Sequence, residues 1–67
     1  MDVQQRIAAN VKRLRKAQGL SQEELAHRAG IDRTYVSQIE RAIKNATFVS
    51  LDKIAKALDV PLTELVA

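Results

Sequence analysis

Cysteine is absent from this 67-residue sequence, which excludes disulfide bonds, thiolate metal ligands and thiol nucleophiles together. Only Tyr35 and Phe48 are aromatic, so the core must be built from aliphatic side chains. Two glycines leave no room for a glycine-rich phosphate-binding loop. No apolar run approaches the roughly 20 residues of a membrane span, and the amino terminus lacks the apolar region of a signal peptide. We therefore expect a cytoplasmic protein with no membrane attachment.

Apolar residues make up 46% of the chain, too large a share for a disordered segment. The length is below the usual domain size, so we expect residues 1–67 to form one domain. A chain this short buries a modest fraction of its surface. A compact helical core or a dimer is therefore the expected route to stability.

The charge of the chain is mildly positive overall, at +3, but it is unevenly distributed. Residues 21–40 are locally acidic, whereas residues 1–20 carry five basic side chains against Asp2 alone. Such clustering is typical of a surface that binds polyanions, although a solvated helix face gives the same pattern. Part of the cluster also fits the negative end of a helix dipole. The basic residues are Arg6, Lys12, Arg13, Arg15 and Lys16.

Apolar periodicity predicts two helices in the first half of the chain. The first should run from about Asp2 to Gln18 and end before Gly19. The second opens with Ser21-Gln22-Glu23-Glu24, a capping box, and ends at Gly30. The expected buried stripe of the first helix comprises Val3, Ile7, Asn10 or Val11, Leu14, and Ala17 or Gln18.

Three further helices are predicted in the second half, and no strand. Asp32 should cap the third, which runs to about Arg41, and Thr47 should cap the fourth. Pro61 suits the first turn of a short fifth helix over residues 62–66. The fourth helix should bury Phe48, Leu51, Ile54, Ala55 and Leu58.

The carboxyl end is unusually apolar for a short helix with one face to bury. It carries Val60, Leu62, Leu65 and Val66. These residues either complete the core or form an exposed patch, and exposed apolar patches on small domains tend to be interfaces. We predict a homodimer that joins through this end.

The helix, short turn and helix between Gln22 and Arg41 match the arrangement in which a second helix enters the major groove of DNA. The outward positions of the later helix are expected to meet base edges: Arg33, Thr34, Ser37 and Gln38. Arg33 can pair bidentately with guanine, and Gln38 with adenine. Gln22 can donate to a phosphate at a helix amino terminus, and Tyr35 can reach a phosphate or pack on its own helix.

The segment from Leu20 to Arg41 resembles the Xre family of helix-turn-helix regulators, similar to phage repressor and Cro domains. The resemblance continues through Leu51 to Leu65. The matching positions are Ala26, Gly30, Val36, Ile39 and the pair Glu40-Arg41. The string DRTYVSQIER, from Asp32 to Arg41, resembles more narrowly the controller proteins of restriction–modification systems, which are small dimeric regulators of their own promoters.

This resemblance implies an all-α, compact five-helix fold of the lambda-repressor type, with the helix-turn-helix at helices 2 and 3. It also implies an ion pair between Arg15 and Glu40, and phosphate contacts from Lys44 and Asn45 in the following loop. The family pattern often has glycine where this chain has Ala42. If that position needs a positive φ, alanine is strained there.

The resulting prediction is a transcription regulator, either a repressor or an activator, that binds a roughly palindromic double-stranded operator as a dimer. The rival prediction is a helical module that pairs with a related regulator and never meets DNA. Ser21, His27 and Asp32 face apart on helices and form no catalytic triad, so no enzyme is expected. A single histidine makes no metal site. We expect no cofactor and no small-molecule ligand.

Overall fold

The computed structural model describes residues 2–67, which contain five helices and no strand. This architecture confirms the predicted all-α fold class. No helix within the described residues is both long enough and apolar enough to cross a membrane. The helices are α1 (Val3–Ala17), α2 (Gln22–Ala29), α3 (Arg33–Glu40), α4 (Phe48–Leu58) and α5 (Thr63–Val66).

Each of the four longer helices begins at a side chain that accepts a hydrogen bond from a free backbone N–H of the first turn. The predicted capping box of α2 forms, with Glu24 N–H donating to Ser21 Oγ at 3.0 Å and Ser21 N–H to Glu24 at 2.9 Å. The same reciprocal arrangement starts α1, between Asp2 and Gln5. The four caps are Asp2, Ser21, Asp32 and Thr47.

The same four helices share one type of ending. Each is followed by a residue with a positive φ, between 55° and 70°. The residue after that one donates its backbone N–H to the carbonyl of the residue five positions before it, in the last turn of the helix. The two glycines in this role were predicted, whereas the two non-glycine residues carry a steric cost. In chain order the left-handed residues are Gly19, Gly30, Ala42 and Asp59, and the donors after them are Leu20, Ile31, Ile43 and Val60.

The core is aliphatic, as the shortage of aromatic residues predicts. Phe48 and Val3 were predicted in the core but lie outside it, at 72% and 52% exposure. Both lie in the first turn of a helix that begins beyond the edge of the core. Ala17 and Gln18, at the other end of α1, are also exposed. The fully buried large side chains are Val11, Leu25, Val36, Ile39, Ile54, Leu58 and Leu65.

The predicted dimer interface is wrong at Leu65. Its side chain is completely buried within the single chain, so it completes the core and cannot offer a surface to a partner. Val60 and Leu62 are half-buried against the same core. Of the four predicted interface residues, Val66 alone is exposed, at 39%. Burial in the core was the alternative that the sequence left open for this end of the chain.

Polar side chains of α1 and of Gln18, the residue that follows it, bind the carboxyl ends of the other helices. Gln18 Nε2 donates to the carbonyl of Leu58 at 2.6 Å, at the end of α4. Asn10 Nδ2 lies 3.0 Å from the carbonyls of both Leu65 and Ala67, at the end of α5. Gln4 Nε2 donates to the carbonyl of Ala42 at 2.9 Å, just after α3. Helix ends carry unpaired carbonyls, so these amides satisfy groups that would otherwise need water.

Candidate nucleic-acid interface

The turn between α2 and α3 brings the two helices into direct packing. Ala26 is 3% exposed, and its small side chain lets the helices approach closely. Gly30 has φ 67°, a left-handed conformation that glycine adopts without a steric penalty. Its missing Cβ would meet no atom within 4 Å, so the backbone angle and not crowding favours glycine here. Ile31 then packs against the core, and Asp32 caps α3 by accepting from Thr34 N–H at 2.7 Å.

Two apolar residues anchor α3, since Val36 and Ile39 are buried at 0% and 2% exposure. Arg33 and Thr34, in its first turn, are exposed, whereas Ser37 and Gln38 are half-buried. Gln22, Arg33, Thr34 and Ser37 line one shallow cleft. The structure therefore gathers three of the four predicted base-contacting residues beside the predicted phosphate-contacting glutamine of α2. Gln38 is not among the residues that line this cleft.

Arg15 and Glu40 form a bidentate ion pair between α1 and α3. Arg15 Nε lies 2.7 Å from Glu40 Oε2, and Nη2 lies 2.9 Å from Oε1. Their side chains are only 10% and 2% exposed. Arg15 Nη1 also donates to the carbonyl of Leu20 at 2.8 Å. The hydrogen bonds to Glu40 raise the pKa of Arg15; burial lowers it by less, and the charge of Glu40 raises it further.

Glu40 has a third donor, because Gln22 Nε2 lies 3.1 Å from its Oε1. This contact fixes the amide of Gln22 in the cleft and turns its Nε2 toward the carboxylate. The carbonyl oxygen of that amide accepts and cannot donate to a phosphate. A phosphate contact from the Gln22 side chain in this rotamer therefore requires the second N–H of the same nitrogen.

Tyr35 is half-buried, and its hydroxyl accepts a hydrogen bond from the backbone N–H of Thr47 at 3.1 Å. Lys44 Nζ lies 5.5 Å from the centre of its ring, within the range of a cation–π contact. Burial raises the pKa of Tyr35, but hydrogen bonds with Ser50 and Thr47 and the charge of Lys44 together outweigh this and lower it. Tyr35 therefore contacts the following loop and the cap of α4, which differs from the packing on its own helix that the sequence left open. A phosphate contact from its hydroxyl stays a prediction.

The loop after α3 carries the two other predicted phosphate contacts. Lys44 and Asn45 are both exposed. Ala42 has φ 57°, so the positive φ that the family's glycine favours is required here. The alanine is strained, and the amide of Gln4 holds its carbonyl.

The amides of α1 and the contact from Gln22 to Glu40 were not predicted. The contacts of Asn10 and Gln18 could have been found from the sequence, because both residues fall at positions of the predicted apolar stripe of the first helix. An amide at such a position indicates a buried or half-buried polar partner. Gln4 offers no comparable signal, because its acceptor lies 38 residues away in the chain.

A short α2 packed on α3 through a tight turn, with Arg33 and Thr34 of α3 exposed, defines a helix-turn-helix domain. Residues 11–65 match the helix-turn-helix family HTH_3, and the chain belongs to this family. This result confirms the family predicted from the sequence.

The relatives of the chain include controller proteins of restriction–modification systems. Control protein C.MunI of Mycoplasma sp is 42% identical over 65 residues, covering 96% of this chain and 88% of the relative. The crystal structure of C.AhdI from Aeromonas hydrophila has a TM-score of 0.90 and 42% identity, over 92% of this chain and 94% of that one. C.Esp1396I, solved as a tetramer in complex with its natural 35 base-pair operator, has a TM-score of 0.86 and 32% identity. The match covers 100% of this chain and 99% of that one.

Proposed function

We propose that this chain is a sequence-specific transcription regulator that binds double-stranded DNA with α3 in the major groove. The observation that carries the proposal is the cleft lined by Gln22, Arg33, Thr34 and Ser37. Gln22 of this cleft donates to Glu40, which also forms the buried ion pair with Arg15. These contacts tie the last residue of α3 to α1 and α2, and base reading needs a recognition helix held in one orientation.

The base contacts that we propose come from Arg33, Thr34, Ser37 and Gln38. Arg33 and Thr34 are the most accessible and lie at the amino end of α3, where a recognition helix meets base edges. Arg33 suits the two acceptors of guanine, and Gln38 the acceptor and donor of adenine. Ser37 lies one turn further into the cleft and can reach either a base or the sugar–phosphate backbone.

The phosphate contacts that we propose come from Gln22, Tyr35, Lys44 and Asn45. Lys44 brings the positive charge, and its Nζ lies 5.5 Å from the centre of the Tyr35 ring. The hydroxyl accepts from Thr47 N–H, and it can also donate a hydrogen bond of its own. Phosphate contacts fix the position of the protein on the duplex, and they make binding weaker as salt rises.

A dimer places two recognition helices on one face of DNA, about 34 Å apart for half-sites one turn apart. The principal-axis extents of one chain are 27 × 22 × 21 Å, so two chains side by side can present two α3 helices at this separation. We propose that the dimer surface includes Val66, flanked by the half-buried Val60 and Leu62. The adjacent residues Phe48 and Val49 are a second candidate surface, because they are 72% and 62% exposed.

Similarity to C.MunI, C.AhdI and C.Esp1396I supports a controller role, in which the protein acts in the cytoplasm on its own promoter. Regulation by occupancy of DNA requires no catalysis, and the exposed groups of α3 suit binding rather than bond making. With dimerisation coupled to DNA binding, occupancy would respond to the concentration of the protein itself.

A fluorescence-anisotropy titration against duplex DNA at several salt concentrations tests the proposal. The expected result is tighter binding to DNA selected from a random pool than to an unrelated duplex, with affinity falling as salt rises. No binding at low salt, or binding that ignores salt, would favour the rival function of a helical module that pairs with another regulator.

A further inference from the structure

The loop of residues 41–47 joins the recognition helix to α4 and carries Lys44 and Asn45. Its first part is closed by backbone hydrogen bonds from Arg41, Ala42 and Ile43 to the last turn of α3. Across residues 2–67, no backbone–backbone hydrogen bond outside the helices involves Lys44, Asn45 or Ala46. Side chains from elsewhere must therefore fix the path of this segment.

Two such side chains hold the loop, one on each side of Lys44. At the far end, the Tyr35 hydroxyl accepts from Thr47 N–H at 3.1 Å. At the near end, Gln4 Nε2 donates to the carbonyl of Ala42 at 2.9 Å. Val3 and Gln4 share a cavity with Ile7, Ile39, Lys44, Asn45 and Ala46, so the first turns of α1 lie directly beside the loop.

The near end is the one that needs support. Ala42 has φ 57°, a conformation that alanine disfavours, whereas Tyr35 holds an ordinary helix cap. If the contact from Gln4 is lost, only the backbone hydrogen bonds from Ala42 and Ile43 to α3 oppose the strain of Ala42. Ala42 can then relax from its positive φ, which changes the direction of the chain that follows. Lys44 is two residues further on, so its charge would leave the position that it holds over the Tyr35 ring.

We propose that Gln4 is a positioning residue for DNA binding, which holds Ala42 in its left-handed conformation so that Lys44 meets a phosphate. This inference rests on the proposed function, because Lys44 needs a DNA phosphate to contact. Gln4 itself need not touch DNA. Its action passes through the carbonyl of Ala42 to the loop.

Gln4→Met tests the proposal, because methionine keeps the length of the side chain and removes the donor. Gln18→Met is the matched control, because it removes a side-chain amide just after α1 that binds the carbonyl of Leu58 at the end of α4 and not the loop. Both variants should lose a similar amount of thermal stability. Anisotropy titrations over a salt series then separate a positioning role from a structural one.

We expect Gln4→Met to weaken binding to selected and unrelated duplexes by the same factor, about 3- to 10-fold. Its slope of log affinity against log salt should become shallower by about 0.9, the loss of one phosphate contact. Gln18→Met should keep the parent slope. In a Lys44→Ala background, Gln4→Met should have no further effect on the slope.

A Gln4→Met variant with the parent slope and affinity would overturn the proposal and leave Gln4 a purely structural cap. An effect of Gln4→Met that persists in full after Lys44→Ala would also overturn it. Failure of the parent protein to bind any duplex at low salt is a different outcome, because it contradicts the proposed function itself.

Discussion

Glu40 accepts two hydrogen bonds from Arg15 and one from Gln22, so a single carboxylate joins α1, α2 and α3. Its side chain is 2% exposed. Removing one partner of a buried ion pair leaves the other charge without compensation, and this costs more than the pair contributes to stability.

Glu40→Ala should therefore lower the free energy of unfolding by about 3–5 kcal/mol, measured by urea denaturation. The exposed pair of Asp52 and Lys56, at 3.0 Å, is the control. Asp52→Ala should change stability by less than about 0.5 kcal/mol, because side chains that are 45% and 78% exposed are screened by solvent. Equal costs for the two substitutions would show that the buried pair has no special role.

Ala42→Gly should stabilise the protein. A left-handed alanine costs about 1–2 kcal/mol, and glycine recovers this but gives back about 0.4–1 kcal/mol through the greater freedom of the unfolded chain. The net gain lies between about 0 and 1.6 kcal/mol, and its midpoint of about 0.8 kcal/mol corresponds to a rise of about 3–6 °C in melting temperature. Asp59→Gly is the control, since Asp59 has a similar φ of 55° but aspartate tolerates this conformation better. A melting temperature that stays constant in Ala42→Gly would mean that Ala42 is not strained.

The capping box of α2 should give a defined pH dependence. The pKa of Glu24 is lowered by its hydrogen bonds with the Ser21 backbone and hydroxyl. A carboxyl group with a lower pKa in the folded state stabilises the fold above its unfolded pKa, about 4.3, and loses this contribution as the pH falls through the folded value. Glu24→Gln keeps the reach of the side chain without titrating. The parent should lose more stability than Glu24→Gln between neutral pH and acid in thermal melts, and parallel losses would exclude the effect.

Single substitutions to aspartate can locate the dimer surface. Phe48→Asp places a charge on the most exposed large apolar residue among residues 2–67, and Val66→Asp does so at the carboxyl end. Sedimentation of both variants should give a folded monomer for at least one, with the helical circular-dichroism signal retained. Leu65→Asp should instead unfold the chain, because it places a charge in the core. A folded dimer in both surface variants would exclude these two surfaces.

The helices, their caps and most of the core could be predicted because they depend on local periodicity and on short-range capping chemistry. The exposure of Phe48 could not be predicted, because a place in an apolar stripe does not tell whether another helix covers the first turn of α4. The exposed residues of α3 followed from helical spacing after Asp32. The contacts of Gln4 and Tyr35 with the loop join residues 38 and 12 positions apart, and neither spacing follows a helical repeat.

Arg33 tests the central claim that α3 reads bases. DNA is selected from a random duplex pool with the parent protein and with Arg33→Ala, and Arg28→Ala, on the exposed face of α2, serves as a charge-matched control. The parent should enrich an inverted repeat with half-sites about 10 base pairs apart. Arg33→Ala should lose about 1–3 kcal/mol of affinity and its preference at one symmetric position, while Arg28→Ala keeps the parent motif. Equal weakening on all sequences with an unchanged motif, or no enriched motif with the parent, would contradict the account.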